Sequence, residues 1–311
     1  MNSLLRLRAR AARTHGHALR PLCALLAALP FAALAQESAL QTITVKAPKA
    51  ALQPAGTSET DHETLQAGRA ASSDTASLLR GLPGVSLFGA GGVSSLPSVH
   101  GLSDDRLRIQ VDGMDLVSSC GNHMNPPLSY IDPTRVGSVR LFAGITPVSV
   151  GGDSIGATIQ VHSPAPEFAE PGQGRLIQGE AGTFYRSNGD GVGAHLSATY
   201  ATEQTSLRYD GSTAQADNYK AARAFKAAGP AAANKPAQWL AGDEVGSTSY
   251  KTRNHALAYA LRGDGHLVEM RLGLQDIPYQ NYPNQRMDMT GNDSHQFNLR
   301  YQGGYAWGQL Q

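Results

Sequence analysis

Between Ser72 and about Val161 the apolar positions fall in short runs of two kinds. Ser73-Asp74-Thr75 offers a helix N-cap before Ala76-Ser77-Leu78-Leu79-Arg80, and Gly81-Leu82-Pro83-Gly84 ends that helix. Val85-Ser86-Leu87 then reads as a strand. Arg106 to Val111 alternates polar and apolar residues with period two and closes on an Asp112-Gly113 turn. Val139-Arg140-Leu141-Phe142 and Ala157-Thr158-Ile159-Gln160-Val161 predict two more strands, the second after a glycine-bearing stretch at 151–156. The pattern predicts a compact α+β domain at 63–168. After Pro164-Ala165-Pro166 the texture changes: segments near 175–184, 193–200, 204–210, 251–261, 266–276 and 294–302 alternate apolar and polar residues and are separated by Gly, Asp, Asn and Ser. That is the faint, repeated signal of antiparallel transmembrane β-barrel strands joined up-and-down, and it assigns 169–311 to the beginning of a barrel. Ser212 to Gly246 is Ala-rich and polar, and is expected to be an extracellular loop with a helical turn.

The N-terminus has a different character. Arg6, Arg8, Arg10, Arg13 and Arg20 precede an apolar run from Leu22 to Leu34, which closes on Ala33-Leu34-Ala35. Charged segment, hydrophobic segment and small-x-small site stand in the order of a cleaved export signal, residues 1–35. The rival, a membrane anchor, is disfavoured because the run is short of the roughly 20 residues that span a bilayer. Residues 36–62 then hold a β-prone run, Leu40-Gln41-Thr42-Ile43-Thr44-Val45, followed by an Ala/Pro/Thr/Gln-rich linker. A tethered strand of this kind suits addition to the sheet edge of a partner; the alternative is a disordered terminus that binds nothing.

Charge changes this picture little. Removing five arginines and no acid with the signal takes the formal charge from +1 to about −4, which gives no reason to expect nucleic acid. Cysteine changes it more. Cys23 leaves with the signal and Cys120 stays as a lone thiol, with no partner for an intramolecular disulfide.

Cys120 lies in Ser119-Cys120-Gly121-Asn122-His123-Met124-Asn125-Pro126-Pro127, where the two prolines forbid a helix. A thiol, an imidazole and a thioether within five residues offer soft ligands that select Cu(I) over Mg²⁺ or Ca²⁺, with His123 as an outer ligand. The bland alternative is that Cys120 and Met124 simply pack as small hydrophobes. Met287-x-Met289 places two further thioethers on one face of a strand, turned either to the lumen or to lipid. The other histidines (His62, His162, His195, His255, His266, His295) lack ligand spacing. With no His-Glu-x-x-His, no carboxylate pair beside a histidine cluster and no nucleophile elbow, neither an enzyme nor a catalytic cofactor is expected.

Taken in series, Ser77-Leu78-Leu79-Arg80-Gly81-Leu82-Pro83-Gly84-Val85, Arg108-Ile109-Gln110-Val111-Asp112-Gly113-Met114 and the run from Val148 to Val161 resemble the plugs of TonB-dependent outer-membrane receptors. His100 departs from the arginine that many plugs carry before the glycine matched by Gly101. The resemblance implies a plug inside a barrel, import of a scarce solute, and a TonB box at Leu40 to Val45. The implied partners are TonB with its inner-membrane energising complex, outer-membrane lipid and the cargo. A barrel of this family has 22 strands; the chain holds six or seven, so truncation and exposed strand edges are expected. The copper-type receptors resemble it further in a Cys-x-x-x-Met plug motif, matched by Cys120 and Met124, and a His-x-Met barrel element, matched with a Met for His change by Met287 and Met289. The resemblance thus implies a copper ion, bound between plug and barrel, as the transported ligand. Two readings compete with it: a siderophore, haem or zinc complex as cargo, or a soluble periplasmic copper-binding protein using Cys120, His123 and Met124.

Overall fold

A computed structural model describes residues 56–89, 91–151, 154–231, 237–283 and 287–310. The expected export signal, residues 1–35, and the segment Leu40 to Val45 lie outside the described residues.

The first half is the expected α+β domain, with strands β1 (Thr57–Glu59), β2 (Val85–Gly89), β3 (Ser95–Val99), β4 (Leu102–Ser103), β5 (Leu107–Val111), β6 (Met114–Asp115), β7 (Ser138–Ala143) and β8 (Ala157–His162). Five of them form one sheet in the order β1-β7-β8-β5-β6, in which β5 and β8 run parallel with Val111 opposite Val161. β2, β3 and β4 make a second, small sheet. Ile109, Val111, Val139, Leu141, Ile159 and Val161 present one apolar face, buried with Leu65, Leu78, Leu79, Leu128 and Ile131. Asp112 and Gly113 both have positive φ, 51° and 81°, so the turn read from the sequence takes the conformation that Asp and Gly tolerate best.

The expected helix at Ala76–Arg80 is a 3-10 turn, Thr75–Leu79. Its N-cap Asp74 accepts hydrogen bonds from the Ala76 and Ser95 amides, each 3.2 Å, and burial pushes the carboxyl above its ordinary range. The linker expected up to residue 62 ends sooner: β1 pairs antiparallel with β7, Thr57 opposite Phe142, and extends the domain's sheet. Helix α1 (His62–Ala71) follows, capped by Asp61, which accepts from the Thr64 amide at 2.8 Å. Composition concealed both elements, because Leu65 is the one large apolar side chain α1 buries.

The second half is a wall. β9 (Leu176–Arg186), β10 (Gly191–Ala201), β11 (Thr205–Ala216), the short hairpin strands β12 (Gly229–Pro230) and β13 (Trp239–Leu240), β14 (Tyr250–Gly263), β15 (His266–Tyr282), β16 (Met287–Met289), β17 (Asn292–Tyr305) and β18 (Gly308–Leu310) follow one another. The main sheet has the order β18-β17-β15-β14-β11-β10-β9, with β16 paired to β15 and every pairing antiparallel. Among the described residues β9 and β18 are its outer members. The stretch expected as one loop from Ser212 differs in that β11 continues to Ala216, opposite Tyr250, and β12 and β13 form a hairpin where a helical turn was expected.

The alternation of this wall is inverted relative to a soluble sheet. Leu196, Tyr200, Leu207, Leu257, Leu272, Phe297 and Leu299 stand on the exposed outer face. Glu180, Ser197, Thr199, Arg208, Asp210, Asn254, Glu269 and Asn298 alternate with them on the inner face, which holds the α+β domain. Contacts between the two are mostly polar. Gln275 and Gln296 donate to the carbonyls of Ser129 and Tyr130, each at 2.9 Å, and Arg186 and Tyr250 both donate to Ser73 Oγ at 3.0 Å. Gly91 and Gly92 let the domain approach the wall closely, since a Cβ on either would strike the Gln280 amide or the Tyr250 ring.

Candidate functional site

The loop after β6 is folded tightly around Cys120. Ser118 Oγ donates to the Cys120 carbonyl at 2.8 Å, and the same carbonyl accepts the His123 amide at 2.8 Å. His123 closes this turn with φ 52°. Pro126, extended at φ −65°, redirects the chain into a 3-10 turn, Pro127–Tyr130, whose Tyr130 hydroxyl accepts the Ser119 amide at 3.2 Å. Cys120 and Met124 are half-buried and Asn125 is buried.

Met289 reaches this loop, and Met287 is placed on the same strand face, through an irregularity in β15. Lys251 pairs with Tyr279 and Arg253 with Asp276, so Ile277 and Pro278 together oppose Thr252. This β-bulge shifts the inward-facing parity from Gln275 and Ile277 to Gln280 and Tyr282, all four buried. Proline is at home in such a position because it has no amide to give to the ladder. β16 pairs Met289 with Gln280 and Met287 with Tyr282. Directly opposed residues share a face, so both methionines stand on the inner side of the strand. Met289 packs beside Val93, Ala214, Tyr250 and Ile277, whereas Met287 is 43% exposed.

The two sulfur-bearing elements meet at Met289. Its Sδ accepts a hydrogen bond from Asn125 Nδ2 at 3.4 Å and lies 3.8 Å from the Tyr282 hydroxyl, which also points at it. Residues separated by more than 160 positions are thereby joined, and Asn125 and Tyr282 are members of the site that residue spacing did not disclose. His123 turns elsewhere, with Nε2 3.9 Å from Asp104 Oδ1. Among the described residues no group of three His, Cys, Asp or Glu side chains comes together, so the candidate donors here are sulfur.

A cavity of about 770 Å³ lies away from this site, between domain and wall, lined by Arg69, Asp112, His162, Glu180, Arg208, Glu269, Arg271 and Arg300 among others. Burial pushes the His162 imidazole below its ordinary range. Charged groups of the domain and the wall face each other across this gap, as in a hydrated seam between two bodies.

An antiparallel wall that is apolar outside and polar inside, with a hydrogen-bonded α+β domain against its inner face, is the architecture of a plugged β-barrel membrane protein. Residues 51–158 match the family model of the TonB-dependent Receptor Plug Domain. The chain thus carries a TonB-dependent receptor plug followed by strands with the fold of such a receptor's barrel. Among solved structures, the copper transporter OprC is similar at 24% identity and TM-score 0.65, over 80% of this chain and 34% of that one. The ferric enterobactin receptor PfeA of Pseudomonas aeruginosa, in complex with enterobactin, is similar at 15% identity and TM-score 0.57, over 83% and 40%. The FrpB iron transporter of Neisseria meningitidis is similar at 16% identity and TM-score 0.61, also over 83% and 40%. The chain spans about a third to two fifths of the length of these structures. Comparison with curated proteins gives no match.

Proposed function

We propose that this chain is the plug and first barrel strands of an outer-membrane receptor that imports copper and acts as a transporter, with no catalytic step. The observation that carries the reading is the contact of Met289 Sδ with Asn125, the residue after Met124, in the loop that holds Cys120. A thiolate and thioethers suit Cu(I), whereas Cu(II) favours nitrogen. Cys120, Met124 and Met289 are the proposed ligands, Met287 is the more exposed fourth sulfur, and His123 stays outside the first ring of donors.

Because two of the donors belong to the plug and two to the wall, moving the plug would pull the pairs apart and release the ion. The pull would come from TonB and its inner-membrane energising complex, acting on Leu40 to Val45 after the export signal is removed. The apolar outer face is then the lipid face, and the hairpin of β12 and β13 belongs to an extracellular loop.

The test is Cu(I) stoichiometry and affinity on the whole chain in detergent, by competition with a chromogenic chelator, with Cys120→Ala as control. One tight equivalent, lost in the variant, supports copper import. No tight copper, or copper indifferent to Cys120→Ala, overturns it. The cargo is then of another kind, such as the iron or the ferric siderophore named for two of the similar structures.

A further inference from the structure

Sulfur in a thioether can bind a metal only through a lone pair, and two hydrogen-bond donors are directed at the Met289 sulfur. Asn125 Nδ2, from the plug, donates to Sδ at 3.4 Å, and the Tyr282 hydroxyl, from β15, approaches it at 3.8 Å. Neither donor is a mobile surface group: Asn125 is 5% exposed and Tyr282 is fully buried. Their placement depends on two separate backbone devices, the Pro126-Pro127 segment after Asn125 and the bulge at Ile277-Pro278 before Tyr282.

We propose that Asn125 and Tyr282 form a mask over the Met289 thioether, and that a cargo ion must displace at least one of these donors to bind. This deepens the copper reading by describing how its site is guarded, and the cargo part rests on that reading; the mask itself does not. A thioether is a weak hydrogen-bond acceptor, so a soft ion that bonds strongly to sulfur displaces the donors. A hard ion gains too little from sulfur to do so. The mask therefore adds discrimination beyond the choice of ligand atoms. Asn125 is a positioning residue in this scheme. It ties plug to wall while the site is empty, and its bond to Met289 is exchanged for a metal–sulfur bond when the site fills, so the plug senses the cargo at the residue next to Met124.

The mask is tested without copper by treating the whole chain in detergent with hydrogen peroxide, which oxidises an available thioether to the sulfoxide. Peptide mass mapping gives the oxidation rate of Met289 relative to Met287, the internal reference. Asn125→Leu keeps the forked shape of the side chain, at greater bulk, without a donor, and Tyr282→Phe removes only the hydroxyl. Both are expected to raise the Met289-to-Met287 ratio by about three- to tenfold, the effect of one modest hydrogen bond. An unchanged ratio in both variants overturns the mask. In a second measurement, by chelator competition, both variants are expected to bind Cu(I) more tightly by a similar factor, and weaker binding overturns the exchange. A wild-type chain that binds no Cu(I) sinks the copper reading, while the peroxide ratio still decides the mask.

Discussion

Arg271, on wall strand β15, places Nη1 3.8 Å from Oδ1 of Asp112, at the plug's positive-φ turn. The other oxygen of Asp112 lies 3.6 Å from Arg135 Nη2 within the plug, and the Ser163 amide and hydroxyl donate to the same carboxylate at 2.7 and 2.8 Å. Glu269 supplies Arg271 with a second partner. One carboxylate therefore serves two bodies.

Asp112→Asn should isolate the charge, since asparagine tolerates the same left-handed backbone. The Asp112 side chain is 7% exposed and both arginines 13%, so the lost charge leaves cations largely cut off from water. A destabilisation of about 3 kcal/mol is expected, in the range for removing one partner of a buried pair. Urea unfolding of the whole chain in detergent checks it, and a change under about 0.5 kcal/mol would remove Asp112 from the plug's anchorage.

Deleting Pro278 should erase the bulge. With the extra residue gone, Ile277 alone would oppose Thr252, and Tyr279 and Gln280 would keep Lys251 and Tyr250 as partners, so Gln280 and Tyr282 would still face inward. A cysteine placed at 280 should therefore react slowly with a bulky maleimide in the parent chain and in the deletion variant alike. A reaction about tenfold faster in the deletion variant would mean that the ladder beyond the bulge had slipped by one residue.

Leu272→Arg probes the outer face. Leu272 is 41% exposed near the middle of β15. Arginine at the mid-depth of a lipid-facing strand costs about 2–4 kcal/mol, so insertion into lipid vesicles should fall sharply, while Leu272→Phe should insert normally. Normal insertion of the arginine variant would contradict the assignment of this face to lipid.

Asp74 predicts a pH dependence. Burial raises its carboxyl above the ordinary value of 3.8, so its contribution to stability is fully present below that value and is lost as pH rises through the raised folded value. Asp74→Asn keeps an oxygen for the Ala76 and Ser95 amides and cannot ionise. The variant should lose less stability than the parent as pH rises from about 4 towards neutrality. Parallel pH profiles in thermal unfolding would show that the Asp74 carboxyl is not the source.

Much of the fold was legible because alternation survives in single residues. Arg106 to Val111 and the segments of β10, β14 and β17 are written in period two, and Asp112-Gly113 and Pro164-Ala165-Pro166 punctuate them. α1 escaped because packing holds it: Leu65 is buried, and the Leu78 side chain occupies the space a Cβ on Gly68 would need. β1 escaped because three residues carry too little pattern, and their pairing with β7 is visible only in three dimensions. At the candidate site, the proposed donors Cys120, Met124, Met287 and Met289 stood out by residue type. Asn125 and Tyr282 did not, since common polar residues acquire their role from neighbours distant in sequence. Pro278 in an otherwise alternating strand was the available sign of the bulge, and so of the inward turn of the second methionine pair.

The seam between plug and wall is built largely from amide side chains, hydroxyls and charges meeting carbonyls and carboxylates, as with Gln275 on Ser129 and Asn298 on Asp112. Water offers each of these groups a substitute partner of similar worth. Sliding the plug along the wall would therefore exchange most of these contacts for others without uncovering a greasy surface, and the buried pair of Asp112 and Arg271 is the polar contact that water would replace least well. An apolar seam of the same area would have been stuck fast. Friction would then fall on the few places where the contact is not polar, and Met289, among Val93, Ala214, Tyr250 and Ile277, is one of them.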